Sequence, residues 1–269
     1  MPHLQVNDIE LFYEIRGTGE PILLIAGYMC DHAYWSLLVP ALVKQYQIIR
    51  FDNRGIGRSS STKNSPCTIP QMASDTAVLL DKLGIEKAHI IGHSMGGQIA
   101  QELALAHPEK IKTLTLLATW AKGDRHFHSI IEMWGDLAAK LDLALYQKVI
   151  LPWIFSDDFY SQSEMIEMLI EIAIRHPFPP QPEILYQHSQ AILASDTIDR
   201  LHKIKSPTLI VAGENDILTP VKFSQQLAQN IPHSELFVLN HGRHGMVIES
   251  PDEVILMILK FLKKFKIFN

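Results

Sequence analysis

The sequence predicts an α/β protein in which a mostly parallel sheet is flanked by helices and interrupted by a helical insertion. Three observations carry this expectation. Apolar, strand-like runs alternate with amphipathic helical segments through residues 1–118, the pattern of a parallel sheet covered on both faces. Over residues 119–199 the alternation stops, and helical segments rich in Trp, Phe and Tyr take over. Strand and helix return over residues 200–269. The chain therefore divides into a first core part (1–118), a helical cap (119–199) and a second core part (200–269).

In chain order, residues 3–6 and 9–15 read as two strands around Asn7-Asp8, a pair suited to a hairpin turn. Residues 21–25 form a continuous apolar run of the kind buried on both faces, and residues 26–30 leave it as a loop. A helical pattern over 35–43 precedes a strand at 47–51. Residues 52–60 are a glycine-punctuated loop in which Asp52 and Arg54 tie down the backbone. It fails as a phosphate loop, because no helix with a Lys-Ser/Thr pair follows its glycines. Residues 69–83 place Met72, Thr76, Leu79, Leu80 and Leu83 on one helical side, and the helix stops at Gly84. Strands at 88–91 and 111–117 bracket a helix carrying Ile99, Ala100, Leu103 and Ala106 at three- and four-residue spacing. In the cap, helices at 125–141, 143–151, 161–175 and 183–194 are separated by Pro152, Pro177, Pro179, Pro180 and Pro182. A strand at 207–212, a helix at 220–230, a strand at 235–239 and a closing helix at 251–268 complete an eight-stranded sheet.

Composition narrows the function. The chain has 269 residues, 47% of them hydrophobic, enough for one large core. Its net charge of −5 supplies neither a basic field for nucleic acid nor a polybasic membrane patch. No apolar stretch approaches the length of a membrane span, and the N-terminus lacks the pattern of a secretory signal. Cys30 and Cys67 are the only cysteines, so a disulfide framework is not the design and a cytoplasmic location is expected. His126 and His128 suggest a metal pair but have no third ligand spaced with them, so neither metal nor cofactor is expected.

The chemistry centres on Gly92-His93-Ser94-Met95-Gly96, where a strand turns directly into a helix. This G-x-S-x-G elbow bends too tightly for side chains at its flanks, and it lifts the Ser94 hydroxyl clear of the sheet. A serine hydroxyl needs a base beside it and a third group to orient that base. Asp216 follows a later strand, and both His241 and His244 follow the last one. In an open α/β sheet these strand ends gather at one rim.

With those residues in place, the chain resembles the α/β-hydrolase family over essentially its whole length. The resemblance rests on the elbow, on Gly213-Glu214-Asn215-Asp216 with Pro220, and on Gly242-Arg243-His244 with Glu249 and Pro251. The loop at 52–59 also matches one common in the family. The resemblance implies Ser94 as nucleophile, Asp216 as acid and His244 as base, since His244 and not His241 has Glu249 five residues later. His93 reads as a packed structural residue, and His32, His107, His176, His188, His202 and His233 as surface or helix-end residues. Asp124 is the fallback acid. The resemblance further implies an oxyanion hole from the Met95 and Tyr28 amides, although the familiar His-Gly before the latter here reads Ala26-Gly27.

The implied activity is hydrolysis of a small carboxylic ester, lactone or thioester, by a monomer or homodimer. The cap resembles that of enol-lactonases and aminoacrylate hydrolases. Trp120 and Trp153 are candidates to line the pocket, and Arg125 or Lys122 could bind an acidic substrate, whereas an apolar pocket would favour a neutral one. A cofactor-free C–C hydrolase or lyase, or a small-molecule receptor with little turnover, would use the same scaffold.

Overall fold

A computed structural model describes residues 2–61 and 67–265. Its strands are β1 (His3–Val6), β2 (Ile9–Arg16), β3 (Glu20–Ile25), β4 (Tyr46–Phe51), β5 (Ala88–His93), β6 (Ile111–Leu117), β7 (Thr208–Gly213) and β8 (Ser234–Leu239). They form one eight-stranded sheet in the order β1-β2-β4-β3-β5-β6-β7-β8. β2 runs antiparallel to both of its neighbours, and every pairing from β4 to β8 is parallel.

The side-chain period of two explains why the central strands are apolar throughout. In β3, Leu23 and Ile25 enter the core on one face of the sheet while Ile22 and Leu24 enter that on the other. The first face is covered by α2 (Ile69–Lys82) and α3 (Met95–Ala106). The second packs against Trp35, Leu38 and α11 (Pro251–Lys263), through Val254, Ile258 and Phe261.

Between β6 and β7 stand five α-helices, α4 (Arg125–Ala138), α5 (Leu143–Ile154), α6 (Asp157–Ser161), α7 (Ser163–Arg175) and α8 (Pro182–Ala194), and a 3₁₀ turn, Ile198–Lys203. The sequence pattern missed α6, a single turn capped by Ser156, whose hydroxyl accepts from the Phe159 amide at 3.1 Å. It also ended the preceding helix before Pro152, yet α5 continues through that residue. Pro152 and Lys148, one turn earlier, are both exposed, where a missing backbone bond costs least.

The helix expected over 35–43 is instead a 3₁₀ turn, His32–Trp35, followed by the short α1 (Val39–Leu42). Pro40 cannot donate to Ser36, so the chain restarts with the proline in the first turn. The last helix ends at Lys263, and residues 266–268 of the expected span lie outside the described residues. No helix among the described residues is long and apolar enough to cross a membrane.

Candidate active site

Only Ser94 separates the end of β5 from the start of α3, and its backbone sits at φ 54°, ψ −121°. A left-handed φ is costly for a residue with a Cβ, so the surroundings must impose it. The Ser94 amide donates to the Leu117 carbonyl at 2.9 Å, and its carbonyl accepts from Gly97 N at 2.9 Å and the Thr119 hydroxyl at 2.8 Å. The flanking glycines permit the close approach: a Cβ on Gly96 would run into the Ile25 carbonyl, and one on Gly92 into the Gly96 carbonyl.

Ser94 Oγ lies 3.0 Å from His244 Nε2, and His244 Nδ1 lies 3.0 Å from Asp216 Oδ2. The three residues are 122 and 28 positions apart in sequence (94 to 216, 216 to 244) and are all buried. Asp216 lies between β7 and α9 (Val221–Asn230), and His244 precedes the single turn α10 (Met246–Glu249). Asn215 N donates to the Gly242 carbonyl at 2.9 Å, fastening the two loops together. His93, beside the serine, donates from Nε2 to the His244 carbonyl at 2.9 Å. That bond fixes the backbone of the histidine loop, and burial, with the His244 ring close by, pushes the His93 imidazole down to about 3.

The Asp216 carboxylate is saturated. Oδ1 accepts from the Leu218 and Thr219 amides at 2.9 and 2.8 Å, and Oδ2 from the Thr219 hydroxyl at 2.6 Å as well as from His244. Burial alone would raise its pKa, but the His244 ring and the Thr219 donors outweigh it and hold the acid below its ordinary value. An ionised Asp216 fixes the tautomer with the proton on Nδ1, leaving Nε2 free to accept from Ser94. Thr219 was not singled out from sequence. Its signal is the short Asp-x-x-Thr spacing after an apolar strand, which closes a side-chain turn on the aspartate. Asp124 plays a different part, capping α4 through the Phe127 amide at 2.9 Å and pairing with Lys222.

On the other side of the serine, a Cβ on Gly27 would stand 3.1 Å from Ser94 Cβ, so the loop after β3 passes directly over Ser94. Among the described residues, neither the Tyr28 nor the Met95 amide is spent on a protein acceptor. Two unspent amides flanking a buried hydroxyl are what a developing oxyanion requires.

A cavity of about 210 Å³ opens over Ser94 and His244. The wall supplied by the helices inserted between β6 and β7 is Trp134, Ile150, Leu151, Ile154, Phe155 and Leu169, with Gln147 at one margin. No Lys, Arg, Asp or Glu is among the residues that line it.

The three candidate pocket residues read from the cap sequence do not line this cavity. Trp120 is fully buried with its ring centre 4.5 Å from that of Phe127, and its carbonyl takes the Gln98 and Gln101 amides, each at 2.9 Å. Trp153 packs against the main core. Along α5 it sits about 110° round the helix from the face carrying Gln147, Ile150, Leu151 and Ile154. Arg125 is exposed in the first turn of α4, and Lys122 is paired with Asp196 at 2.7 Å.

His188 also corrects the sequence reading. It is fully buried within α8, donating from Nε2 to the Arg54 carbonyl at 3.0 Å, and burial lowers its pKa to about 4. His126 and His128 join no metal-competent group among the described residues. The one such group is Asp31, His32 and Asp52, where Asp52 already accepts from the His32 ring at 2.6 Å and from the His32 and Arg58 amides.

Comparison with known proteins agrees with this architecture. Residues 20–152 match the family model for the alpha/beta hydrolase fold, and residues 188–267 match one described as a TAP-like protein. A protein of Azorhizobium caulinodans named for carbamate hydrolysis, RutD, is 33% identical over 97% of this chain and 98% of its own length. The enol-lactonase of Burkholderia xenovorans superposes with a TM-score of 0.88 at 28% identity, covering 97% of this chain and all of its own. A thermophilic esterase of Thermogutta terrifontis superposes at 0.87 with 25% identity, covering 98% and 99%. The sheet order, the strained serine between β5 and α3, and the match along the whole chain lead to one conclusion: this protein belongs to the α/β-hydrolase family.

Proposed function

We propose that this hydrolase cleaves a small, neutral carboxylic ester, lactone or thioester through an acyl-Ser94 intermediate. The observation that carries the reading is the unbroken chain of contacts Ser94–His244–Asp216, at 3.0 Å for each link, on the floor of an uncharged cavity. His244 Nε2 takes the hydroxyl proton as Ser94 Oγ attacks the substrate carbonyl. The Tyr28 and Met95 amides receive the oxyanion, each contributing on the order of 3 kcal/mol to the transition state. His244 then passes the proton to the leaving group, and a water molecule, activated by the same nitrogen, releases the acid. Asp216 remains ionised throughout, balancing the imidazolium that forms and disappears.

The neutral substrate class follows from the wall. A carboxylate or carbamate anion brought into this cavity would meet no cation, and an unpaired buried charge costs several kcal/mol. The apolar side chains of α5 instead suit an alkyl or aryl acyl group. Both cysteines are free, which suits the cytoplasm, where we place the reaction.

The test is a matched pair of p-nitrophenyl esters of equal length, one ending in a methyl group and one in a carboxylate. The neutral ester is expected to turn over with a kcat/KM at least about tenfold higher, a margin of about 1.4 kcal/mol, with all turnover lost in Ser94→Ala. Preference for the anionic ester would overturn the substrate class, and turnover surviving in Ser94→Ala would overturn the mechanism.

A further inference from the structure

The loop that offers the Tyr28 amide reads Ala26-Gly27 where the family resemblance leads one to expect His-Gly, and the structure contains a different device for holding it. Within the core, the Ala26 carbonyl accepts from Asn53 Nδ2 at 3.0 Å, and Cys30 N closes a turn onto the Gly27 carbonyl at 3.3 Å. Those bonds bracket Tyr28 without touching it. Its side chain instead reaches into the cap. The Tyr28 hydroxyl is 2.7 Å from the Tyr146 hydroxyl of α5 and 3.1 Å from the Leu185 carbonyl of α8, and its ring stacks on Trp134 of α4 at 5.9 Å. The Tyr146 hydroxyl in turn lies 3.0 Å from the Trp134 carbonyl.

Two phenolic protons serve three contacts. Either Tyr28 donates to Tyr146 and Tyr146 to Trp134, or Tyr146 donates to Tyr28 and Tyr28 to Leu185. In both arrangements the phenols remain bonded to each other, and the loop is fastened to helices distant from it in sequence. Both hydroxyls are buried, so solvent does not compete for these bonds. Burial also raises both phenols, Tyr146 to about 12, which keeps them protonated and able to donate. Met29, the next residue, is held at φ 54°, a conformation that a bulky side chain leaves unless something restrains it.

We propose that Tyr28 is a positioning residue whose hydroxyl ties the oxyanion-hole loop to the seated cap, so that the hole is complete only when the cap is in place. The proposal rests on the serine-hydrolase reading above. It makes the cap an active part of the catalytic geometry as well as a wall, because displacing α5 and α8 would release the Tyr28 side chain and with it the backbone amide one residue from Gly27.

The experiment compares wild type, Tyr28→Phe, Tyr146→Phe and the double variant on a neutral p-nitrophenyl ester, together with affinity for an alkyl boronic acid that forms a tetrahedral adduct on serine. Loss of a whole oxyanion donor costs 10²–10³ in kcat, so a loosened one is expected to cost roughly tenfold in Tyr28→Phe. KM should move less than about twofold, because the ring still lines the cavity. Tyr146→Phe should lose less, about threefold, since Tyr28 keeps the Leu185 carbonyl as acceptor. The double variant should match Tyr28→Phe, and boronate affinity should fall by the same factors as kcat. A purely structural role would instead lower the melting temperature and raise KM while leaving boronate affinity in step with substrate binding. Wild-type kcat and boronate affinity in Tyr28→Phe, with Ser94→Ala inactive, would remove the tether and leave the hydrolase reading intact. A wild type inert towards every neutral ester would remove both.

Discussion

Protonation of His188 should weaken the fold by a calculable amount. The ring is fully buried between α8 and the loop after β4, bonded from Nε2 to the Arg54 carbonyl, and burial lowers its pKa to about 4 from an ordinary value of 6.5. A depressed folded value means that the unfolded chain takes up the proton first. The stability contributed by the neutral ring is therefore complete above pH 6.5 and is lost as pH falls towards 4. From pH 7.5 to 5.5 the unfolded state gains a factor on the order of ten from this one group, or about 1 kcal/mol. His93, pushed down to about 3 by burial and by His244, adds a similar loss. The test is equilibrium urea unfolding at those two pH values, for wild type and for His188→Gln. The Gln amide can replace the Nε2 donor but does not titrate in this range. The acid-induced loss in His188→Gln is expected to be smaller than that of wild type by about 1 kcal/mol, whatever the variant's absolute stability. Equal losses in the two proteins would refute the reasoning.

Three further variants test the same geometry. Thr219→Val keeps the side-chain shape but removes the hydroxyl donor 2.6 Å from Asp216 Oδ2, and should cost about 2 kcal/mol of stability by urea titration, as expected for a bond to a buried charge. The same variant should raise the Asp216 pKa, read from the NMR titration of its carboxyl carbon. Arg125→Ala should leave kcat/KM for neutral and anionic esters unchanged within about twofold, because the exposed arginine lies outside the cavity; a selective loss on the anionic ester would reinstate it as a binding residue. Trp120→Ala, removing a fully buried indole, should cost about 3–5 kcal/mol in unfolding free energy while the KM of the surviving folded protein stays near wild type.

The core of this molecule is legible in the sequence because its signals are short-range. Each central strand must be apolar on both faces, so runs such as residues 21–25 and 111–117 declare themselves, and β6 spans the residues expected. Ser94 sits at the end of such a strand and Asp216 and His244 in the loops after β7 and β8, so the sheet itself brings the three to one rim. The inserted segment between β6 and β7 is different. Its helices can be recognised by period, but which face meets the core depends on packing between segments distant in sequence. Trp120, Trp153 and Arg125 were therefore plausible wall residues, while Trp134, Gln147 and Ile150 took that place. The Tyr28–Tyr146 bond joins positions 118 residues apart and has no local signature. His188 reads as an ordinary polar position on a surface helix until the Arg54 carbonyl is placed beneath it. Proline misled in both directions: Pro40 broke a helix that the apolar pattern supported, and Pro152 failed to break one because its missing bond falls on an exposed face.

The central claim, that Ser94 carries the acyl group, is tested most directly by rapid acid quench of the enzyme with a slowly deacylating neutral ester, followed by intact-mass and peptide analysis. A single adduct of the acyl mass on the peptide containing Ser94, absent from Ser94→Ala, is the predicted result. Turnover without any adduct during the burst, or an adduct on another residue that persists in Ser94→Ala, would contradict it.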